Sequence, residues 1–394
     1  MTSAHSGIER ALRRAMPRGA EMRRIAKTAM KAETARAAIA MPVKDEERMI
    51  GTSLRALARA EKHARADILV LVNNTADTTF ESALAWGTAL GLRLTVADVR
   101  LDAEIAHVGT ARRLAMDALA EASRHDAALI TTDADTICAD DWIASNCAGL
   151  ERGAALVCGR IDILSEDTDA LPAAVLAASA DEGRYLALMR ELEALIDPDP
   201  WNPSEHHGGC NGASMATMPS LYRLVGGLPA IPSGEDRAFL QRYRAHDLPV
   251  LFSDAARVVV SGRTAGRAPG GMAEAIAARI RDPDAPIDSV AEPANDWSAR
   301  LEVRSIARRL HCRGESLRGL CDWLGIDLGV SPKIYEAPFF GSVWQQIEAA
   351  SRLRARHQLR PSQLPLEMRR LEKMIATSRQ LPQYQLASAA LLKK

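Results

Sequence analysis

The sequence has few aromatic residues and no long apolar run. Aromatic residues make up 4% of the 394 residues, whereas hydrophobic residues reach 47% and charged residues 25%. This ordinary globular composition excludes a mostly disordered chain, and it predicts a core built from Ala, Leu, Val and Ile. No charge-free apolar run approaches the ~18 residues that a membrane span needs. The first ten residues also lack the apolar region of a secretory signal.

Paired cysteines, internal repeats and low-complexity tracts are also missing. The six cysteines include no C-x-x-C pair, so we expect reduced, mostly buried thiols in a cytoplasmic protein rather than a disulfide framework. At roughly 150 residues per domain, the length predicts two or three domains.

The net charge is zero, but it is unevenly distributed. Residues 1–36 carry a charge of +6 and residues 346–394 carry +7, which leaves −13 for the middle of the chain. One interpretation is that the basic residues lie on solvated helix faces. The alternative is peripheral contact with a charged partner or with the anionic inner face of a membrane.

Short apolar runs alternate with stretches of helical periodicity from residue 37 onward. We predict strands at 37–41, 68–72, 92–96 and 127–132, separated by helices of 10–15 residues. This alternation is typical of an α/β fold with a mainly parallel sheet and helices on both of its faces.

The pattern becomes mainly helical towards the end of the chain. It loosens after Arg160, resumes between residues 213 and 261, and is helical with Pro-marked breaks from residue 272. We therefore predict three parts: a basic helical N-terminal segment (1–36), a sheet domain (37–275) and a helical C-terminal extension (276–394).

Ligands of parallel sheets bind at the carboxyl ends of the strands. The residues that follow the predicted strands are therefore candidate ligand contacts: Pro42, Val43, Lys44, Asn73, Asn74, Asp98, Asp133 and Asp135. Four D-x-D pairs occur in the chain, but only Asp133-Ala-Asp135 ends a buried strand. Two carboxylates there are suited to a hard divalent cation, which in turn holds a diphosphate. The alternative is a strand-end turn that leads into a helix N-terminus.

Three further segments contain residue types that are common in catalytic and ligand-binding sites. Glu235 and Asp236 begin a helical stretch, where acids are favoured by the helix dipole even without a function. Residues 261–271 combine Arg263 and Arg267 with four glycines, which suits either closure over phosphate oxygens or a simple linker. The pair His206-His207 lies in a Gly-rich segment without a third ligand at zinc-site spacing.

Taken in order, these pieces resemble GT-A glycosyltransferases of the family 2 type, over residues 37 to about 271. Ile39-Ala-Met-Pro-Val-Lys-Asp-Glu-Glu47 resembles the family's strand with P-x-x-N-E-E, and Ile130-Thr-Thr-Asp-Ala-Asp135 resembles its L-D-A-D strand end. Gly109-Thr-Ala-Arg-Arg113 resembles a G-x-x-x-A-R-N helix start. Gly234-Glu-Asp236 resembles the E-D of the catalytic helix.

The resemblance implies a GT-A fold and a metal-assisted, inverting transferase that uses a nucleotide-diphospho-sugar and an acceptor hydroxyl. It implies Mg²⁺ or Mn²⁺ as the cofactor, with Asp135 and Asp133 as metal ligands. Asp236, or its neighbour Glu235, would be the general base, and His206 and His207 would lie on the acceptor side. The implied donor-binding residues are Pro42, Val43, Lys44, Glu46, Asn73, Arg112, Arg113, Asp133, Arg263 and Arg267.

The chain departs from the family pattern at three places. Asn73-Asn74 replaces an acidic pair, residues 251–271 contain no histidine, and residues 276–394 have no counterpart in the core fold.

Two other functions are alternatives to a glycosyltransferase. A nucleotidyltransferase would carry a Gly-rich loop after its first strand, and Met41–Glu47 contains no glycine. A non-catalytic sugar-nucleotide-binding or scaffold protein would not need both Asp135 and Asp236.

Overall fold

The computed structural model describes residues 4–28, 34–203, 205–263, 271–327, 334 and 337–380. The chain divides into two compact units. Unit 1 comprises Met1–Asp169, Gly209–Tyr243 and Leu248–Ala275, and unit 2 comprises Ala170–Gly208, Arg244–Asp247 and Ile276–Lys394. The described helices, which we number α1 to α14, are Ala4–Ala15, Ile50–Ala60, Thr79–Ala89, Val108–Ala122, Trp142–Glu151, Ser165–Asp169, Ala173–Ile196, Pro219–Leu224, Glu235–Ala245, Met272–Arg281, Ala294–Cys312, Arg318–Leu324, Phe340–Ala350 and Leu364–Arg379.

Within the described residues, nine strands form one sheet in the order β1-β4-β3-β2-β5-β8-β7-β9-β6. All of them belong to unit 1. In chain order they are β1 Ala20–Lys27, β2 Ala37–Val43, β3 Ala66–Asn73, β4 Leu94–Leu101, β5 Ala128–Thr131, β6 Thr136–Cys138, β7 Leu156–Ile163, β8 Met215–Thr217 and β9 Val250–Val260.

The sheet reverses its winding direction next to β2. The chain runs from β2 through α2, β3 and α3 to β4 on one side, and α4 then carries it back to β5 on the other side of β2. In the described sheet, β2 and five other strands run in one direction, and β1, β6 and β8 run against them. The carboxyl ends of β2 and β5 therefore meet at a topological switch point, where open α/β sheets place their ligands.

Helices cover both faces of the sheet. On one face, α1 and α4 pack on an apolar cluster that includes Leu69, Val99 and Leu129. On the other, α3 approaches Leu94 and α5 approaches Val157. All seven residues of β2 are buried, which is the pattern of a central strand with both faces covered. The predicted α/β class, with a mainly parallel sheet and a helical C-terminal region, is confirmed.

Pro42 lies just beyond the end of the β2–β5 ladder. The β2–β5 ladder ends at Ala40 and Thr131, and its last bond is donated by Thr132 N to Ala40 O at 3.0 Å. Because Pro42 has no backbone N–H, it cannot extend a hydrogen-bonded ladder as other residues do. The chain after β5 leaves the sheet at this point and enters Asp133-Ala-Asp135.

Two predictions from the sequence are wrong in detail. Residues 20–27 form the antiparallel edge strand β1 rather than a helix, since pairing with β4 gives their backbone a partner that local periodicity does not reveal. The same pairing extends β4 to Leu101. Asp98 therefore lies inside a strand, where its carboxylate accepts a hydrogen bond from Arg24 Nε at 3.0 Å.

Many arginines of the basic ends pair with acidic residues. Near the N-terminus, Arg24 pairs with Glu81 and Asp98, and Arg14 pairs with Glu121. In unit 2, the same holds for Arg356 with Glu292 and Glu348, and for Arg379 with Glu191. Much of the charge asymmetry along the sequence is thus balanced locally. None of the helices in the described part of the chain is both long and apolar enough to cross a bilayer.

Unit 2 has a helical core with a buried ion-pair network. Helices α7, α11 and α14 pack around Tyr185, Leu301 and Leu371. The Asp197 carboxylate, at the end of α7, accepts hydrogen bonds from Arg304 and from Arg308, the latter at 2.8 Å. Burial alone would raise the pKa of Asp197, but these two arginines outweigh it and hold the pKa below its ordinary value.

We expect Gly109→Ala to destabilise unit 1 by about 1–3 kcal/mol, as overpacking does in other cores. A Cβ at Gly109 would lie 2.1 Å from the carbonyl oxygen of Ile231, whose backbone cannot yield as a flexible side chain does. Gly7→Ala is the matched control, since its Cβ would meet Ala122 at an ordinary 3.9 Å. Urea unfolding of both variants measures the difference. Equal stabilities would show that the segment around Ile231 yields without cost.

We expect Asp197→Asn to lower the free energy of unfolding by about 2 kcal/mol at pH 7, because it removes the buried carboxylate that Arg304 and Arg308 share and leaves Arg304 with Glu193 alone. The folded pKa is lowered, so the contribution is complete above the unfolded-chain value of about 3.9. It is lost as the pH falls through the folded pKa. Urea unfolding should therefore show a gap to wild type that is constant at pH 5–8 and shrinks below about pH 4. Glu191→Gln, which breaks an exposed pair with Arg379, is the control; a loss as large as that of Asp197→Asn would contradict the assignment.

Candidate active site

The candidate residues converge where β2, β3 and β5 end. Pro42 and Val43 are buried at the end of β2, and Lys44 follows as an exposed residue. Asn73 ends β3 with 6% of its surface exposed. Asp133 follows β5. These strand ends are neighbours at the switch point, so residues that are far apart in the sequence lie along one edge of the sheet in unit 1.

The loops that follow β2 and β3 are tied together by side chains. Asp45 adopts a left-handed backbone conformation with φ 51°. Its carboxylate accepts a hydrogen bond from Ala76 N at 2.8 Å, and its own N–H donates to Thr75 Oγ1 at 3.2 Å. The backbone N–H of Glu46 donates to Thr79 Oγ1 at 2.8 Å. The Glu46 side chain is therefore presented to the switch point from a fixed backbone.

The two asparagines after β3 have different surroundings. The Asn74 side chain donates to Leu101 O at 2.7 Å and accepts from Leu101 N at 2.8 Å, so its amide closes the end of β4. Asn74 also has a positive φ of 49°, which asparagine tolerates better than most residues. Of the pair, Asn73 is thus the residue that remains a candidate for ligand contact.

Arg112 joins the two acidic motifs. It lies in α4 with 2% of its surface exposed. Its Nη2 donates to Asp133 Oδ1 at 2.6 Å and its Nε donates to Glu235 Oε1 at 3.2 Å. Its Nη1 donates to Thr131 Oγ1 at 2.8 Å and to Gly212 O at 2.9 Å. Four of the five guanidinium N–H donors are therefore used by the protein, so Arg112 holds the acids in position. The contact with the base or the diphosphate that the resemblance implies stays a prediction.

Gly212 is required by this arrangement. A Cβ at this position would lie 2.4 Å from Arg112 Cζ, within the guanidinium itself. Thr131 supplies a hydroxyl from the last residue of β5. We did not predict either residue as part of the site. Local sequence gives no signal for Thr131, because it acts through a partner 19 positions away.

Arg263 pairs with Asp135, whereas Arg112 pairs with Asp133. The Nη1 of Arg263 donates to Glu46 Oε1 at 2.8 Å, and its Nη2 lies 3.1 Å from Asp135 Oδ2. The side chain is 31% exposed, compared with 6% for Glu46 and 18% for Asp135. The structure thus brings together a residue after β2, a residue after β5 and a residue after β9. Arg267 lies outside the described residues.

The pKa of Asp135 is raised to about 6. Burial is the largest cause, the neighbouring charges of Asp133 and Glu46 add to it, and Arg263 opposes it. Carboxylates crowded in this way favour a positive charge between them.

The donor set is compatible with a cation shared with a ligand. Asp133 and Asp135 present hard carboxylate oxygens, and the ion pair to Arg112 leaves 30% of the Asp133 side chain exposed. Across the ranges that the structure describes, no group of three or more His, Cys, Asp or Glu side chains is arranged to hold a metal ion. Mg²⁺ is commonly bound by one or two carboxylates together with substrate phosphates and water. The residues present fit that mode and not a closed protein site.

Glu235 and Asp236 begin α9 but differ in exposure. Glu235 is 6% exposed, and its pKa is raised, mainly by burial and against the opposing charge of Arg112. Asp236 is partly exposed, and its Oδ1 accepts from Arg237 N at 2.7 Å. Of the two carboxylates, Asp236 is the one that a ligand in solution reaches.

Arg113 belongs to α4, and the two histidines belong to unit 2. Arg113 donates to Leu228 O at 3.0 Å and to Asp117 Oδ2 at 3.2 Å, so it holds the turn before α9. Its role on the nucleotide side, which the resemblance implies, stays a prediction. His206 and His207 are half-buried residues of unit 2. Burial and the charge of Arg190 lower the pKa of His206.

The chain matches no protein-family model and no curated protein. It is similar in structure to S. aureus TarS 1–349 in complex with UDP, with 12% identity and a TM-score of 0.42 over 88% of this chain and 91% of that one. It is also similar to a mannosyltransferase from Pyrobaculum calidifontis in complex with GDP-Man and Mn²⁺ (15%, 0.40, 88% and 94%). A third similar structure is glucosyl-3-phosphoglycerate synthase from Mycobacterium tuberculosis with Mg²⁺ and UDP (17%, 0.34, 64% and 82%).

We expect Arg112→Lys to lower the free energy of unfolding by at least about 2 kcal/mol, because an ammonium cannot reproduce four directed guanidinium bonds in a buried position. Arg113→Lys is the matched control from the next residue, where the side chain is 37% exposed and a change within about 0.5 kcal/mol is expected. Denaturant unfolding of both variants measures this. Similar losses at the two positions would contradict the central role of Arg112.

Proposed function

We propose that this chain is a divalent-cation-dependent, inverting glycosyltransferase that moves a sugar from a nucleotide-diphospho-sugar to an acceptor hydroxyl. Unit 1 would be the catalytic domain and unit 2 a helical extension. The observation that carries the proposal is the buried Arg112, which holds Asp133 at the end of β5 and Glu235 at the start of α9 with the same guanidinium. Two acidic sites with different exposure are thereby held at a fixed separation.

The donor half would be formed by the strand ends of β2, β3 and β5. Pro42, Val43, Lys44 and Asn73 would line the nucleotide. Asp133 and Asp135 would hold the divalent cation together with the diphosphate. A bound cation would stabilise the negative charge that develops on the departing diphosphate. Arg263 would add charge-assisted hydrogen bonds to the phosphate oxygens.

The acceptor half would depend on Asp236. In a single displacement, the acceptor oxygen bonds to the anomeric carbon as the bond from that carbon to the diphosphate breaks, and Asp236 accepts the hydroxyl proton. The partial exposure of Asp236 supports this role, because a general base must reach the proton that it removes. Glu235 would act as a positioning residue, since its carboxylate is buried and engaged with Arg112. His206 and His207 are proposed on the acceptor side from sequence alone.

The first test is a thermal-shift screen of the full chain against a panel of nucleotide-sugars with Mg²⁺, Mn²⁺ or EDTA. A ligand at 100 times its dissociation constant adds about 2.7 kcal/mol of apparent stability. A donor hydrolysis assay with the same panel then separates a transferase from a scaffold that only binds. Stabilisation by a donor without any turnover, in the presence of candidate acceptors and metal, would favour the scaffold.

We expect Asp135→Asn to weaken cation-dependent donor binding about tenfold or more, because it removes a charged oxygen ligand, each tenfold being 1.4 kcal/mol. Isothermal titration of UDP and GDP with Mn²⁺, and again with EDTA, measures the effect. Asp254→Asn, which changes an exposed residue of β9, is the control. Equal affinity and equal metal dependence in Asp135→Asn and wild type would remove Asp135 from the site.

We expect Asp236→Asn to lower kcat by about 10² or more while donor affinity stays close to that of wild type, since a base acts only on the acceptor. Glu235→Gln should instead lower kcat less and also lower stability, because its partner Arg112 loses a buried counterion. Parallel kinetics and unfolding of the two variants distinguish the roles. An active Asp236→Asn beside a folded but inactive Glu235→Gln would transfer the role of base to Glu235.

A further inference from the structure

We infer that Arg263 makes cation binding depend on the donor. In the free protein Arg263 neutralises Glu46 and Asp135, and its side chain moves to the diphosphate when cation and donor bind. The inference rests on the proposed function and deepens it. It assigns to Arg263 a positioning role in the binding sequence, beyond contact with phosphate oxygens.

The geometry places the arginine where a cation would otherwise be needed. Arg263 reaches Glu46 Oε1 at 2.8 Å with one terminal nitrogen and Asp135 Oδ2 at 3.1 Å with the other. The second arginine of the site, Arg112, forms ion pairs with Asp133 and Glu235. Of these two arginines, Arg263 therefore provides the positive charge beside Asp135.

A cation that binds Asp135 competes directly with this ion pair. The cation and the guanidinium carry charges of the same sign and would approach the same carboxylate, so their simultaneous binding is opposed by repulsion. A diphosphate removes the conflict, because it offers the planar guanidinium of Arg263 two phosphate oxygens for a bidentate contact and offers the cation further oxygen ligands. Cation and diphosphate should each strengthen the binding of the other.

The exchange requires movement of the side chain only. The backbone before Arg263 is anchored by Asp167, whose Oδ2 accepts from Gly262 N at 2.7 Å and from Ser261 Oγ at 3.2 Å. A Cβ at Gly262 would lie 2.7 Å from Ile163 Cγ2, so this segment packs closely. The Arg263 side chain is 31% exposed, and it is a long chain with several rotatable bonds. A residue with a fixed backbone and a mobile side chain can change partners without rearranging the sheet.

The test measures the coupling between Mn²⁺ and UDP, and between Mn²⁺ and GDP, in the full chain. Dissociation constants for Mn²⁺ are determined by calorimetry or by Mn²⁺ electron paramagnetic resonance, with and without saturating nucleoside diphosphate. Linkage requires the same coupling factor when the nucleotide is titrated with and without Mn²⁺. Wild type should show a coupling factor within the 5–150-fold range that is typical of linked sites, roughly 50-fold.

We expect Arg263→Gln to bind Mn²⁺ alone about tenfold more tightly than wild type, to bind UDP or GDP in the presence of Mn²⁺ about tenfold more weakly, and to show a smaller coupling factor. Arg263→Lys should lie between the two, because one ammonium cannot reach both Glu46 and Asp135. Arg257→Gln is the matched control. It removes an arginine of β9 whose partner is Asp162 and whose side chain is 56% exposed.

Three outcomes are informative. Tighter Mn²⁺ binding in Arg263→Gln but not in Arg257→Gln supports the inference. Mn²⁺ binding that is no tighter in Arg263→Gln than in wild type overturns it, while cation-dependent nucleotide binding by wild type would leave the proposed function intact. Wild type that binds neither nucleotide in a cation-dependent way overturns both the inference and the proposed function.

Discussion

The site depends on one buried guanidinium. Arg112 carries a full charge in a position that is 2% exposed, and such a charge is tolerated only when it is paired and fully hydrogen-bonded. Asp133, Glu235, Thr131 and the Gly212 carbonyl meet this requirement together. Because these groups come from β5, α9 and the segment before β8, satisfying one side chain also fixes three parts of unit 1 relative to each other. A fixed arrangement of acidic side chains thus follows from the cost of burying a charge.

The sequence predicts the sheet better than the connections across it. Buried runs such as Ile68–Val72 identify strands because both faces are covered, and the switch point follows from their order. The edge strand β1 was missed because its alternating polar pattern becomes a strand only when β4 is beside it. Unit 2 combines residues 170–208 with the C-terminal helices, and contact between segments so distant along the chain leaves no mark in local periodicity.

The same limit applies to the site. Motif order identifies Asp133, Asp135, Glu235 and Asp236, since a strand end and a helix start are local features. It does not reveal which arginine serves which acid. Arg112 and Arg113 are adjacent in α4, where successive side chains point about 100° apart. One is therefore buried among the acids, and the other holds the turn at Leu228. The pair Glu46–Arg263 spans 217 positions and becomes visible only in the fold.

The two acidic residues at the start of α9 show how one motif can provide two chemical environments. Glu235 faces inward, where burial raises its pKa and Arg112 supplies its counterion. Asp236, one residue later, is turned away by the helical geometry and remains partly exposed. A carboxylate used to hold an arginine is poorly placed to exchange protons with a ligand, and one that exchanges protons cannot be fully engaged in a buried ion pair. Adjacent positions on the first turn satisfy both demands, because the backbone that anchors Glu235 also sets the direction of Asp236.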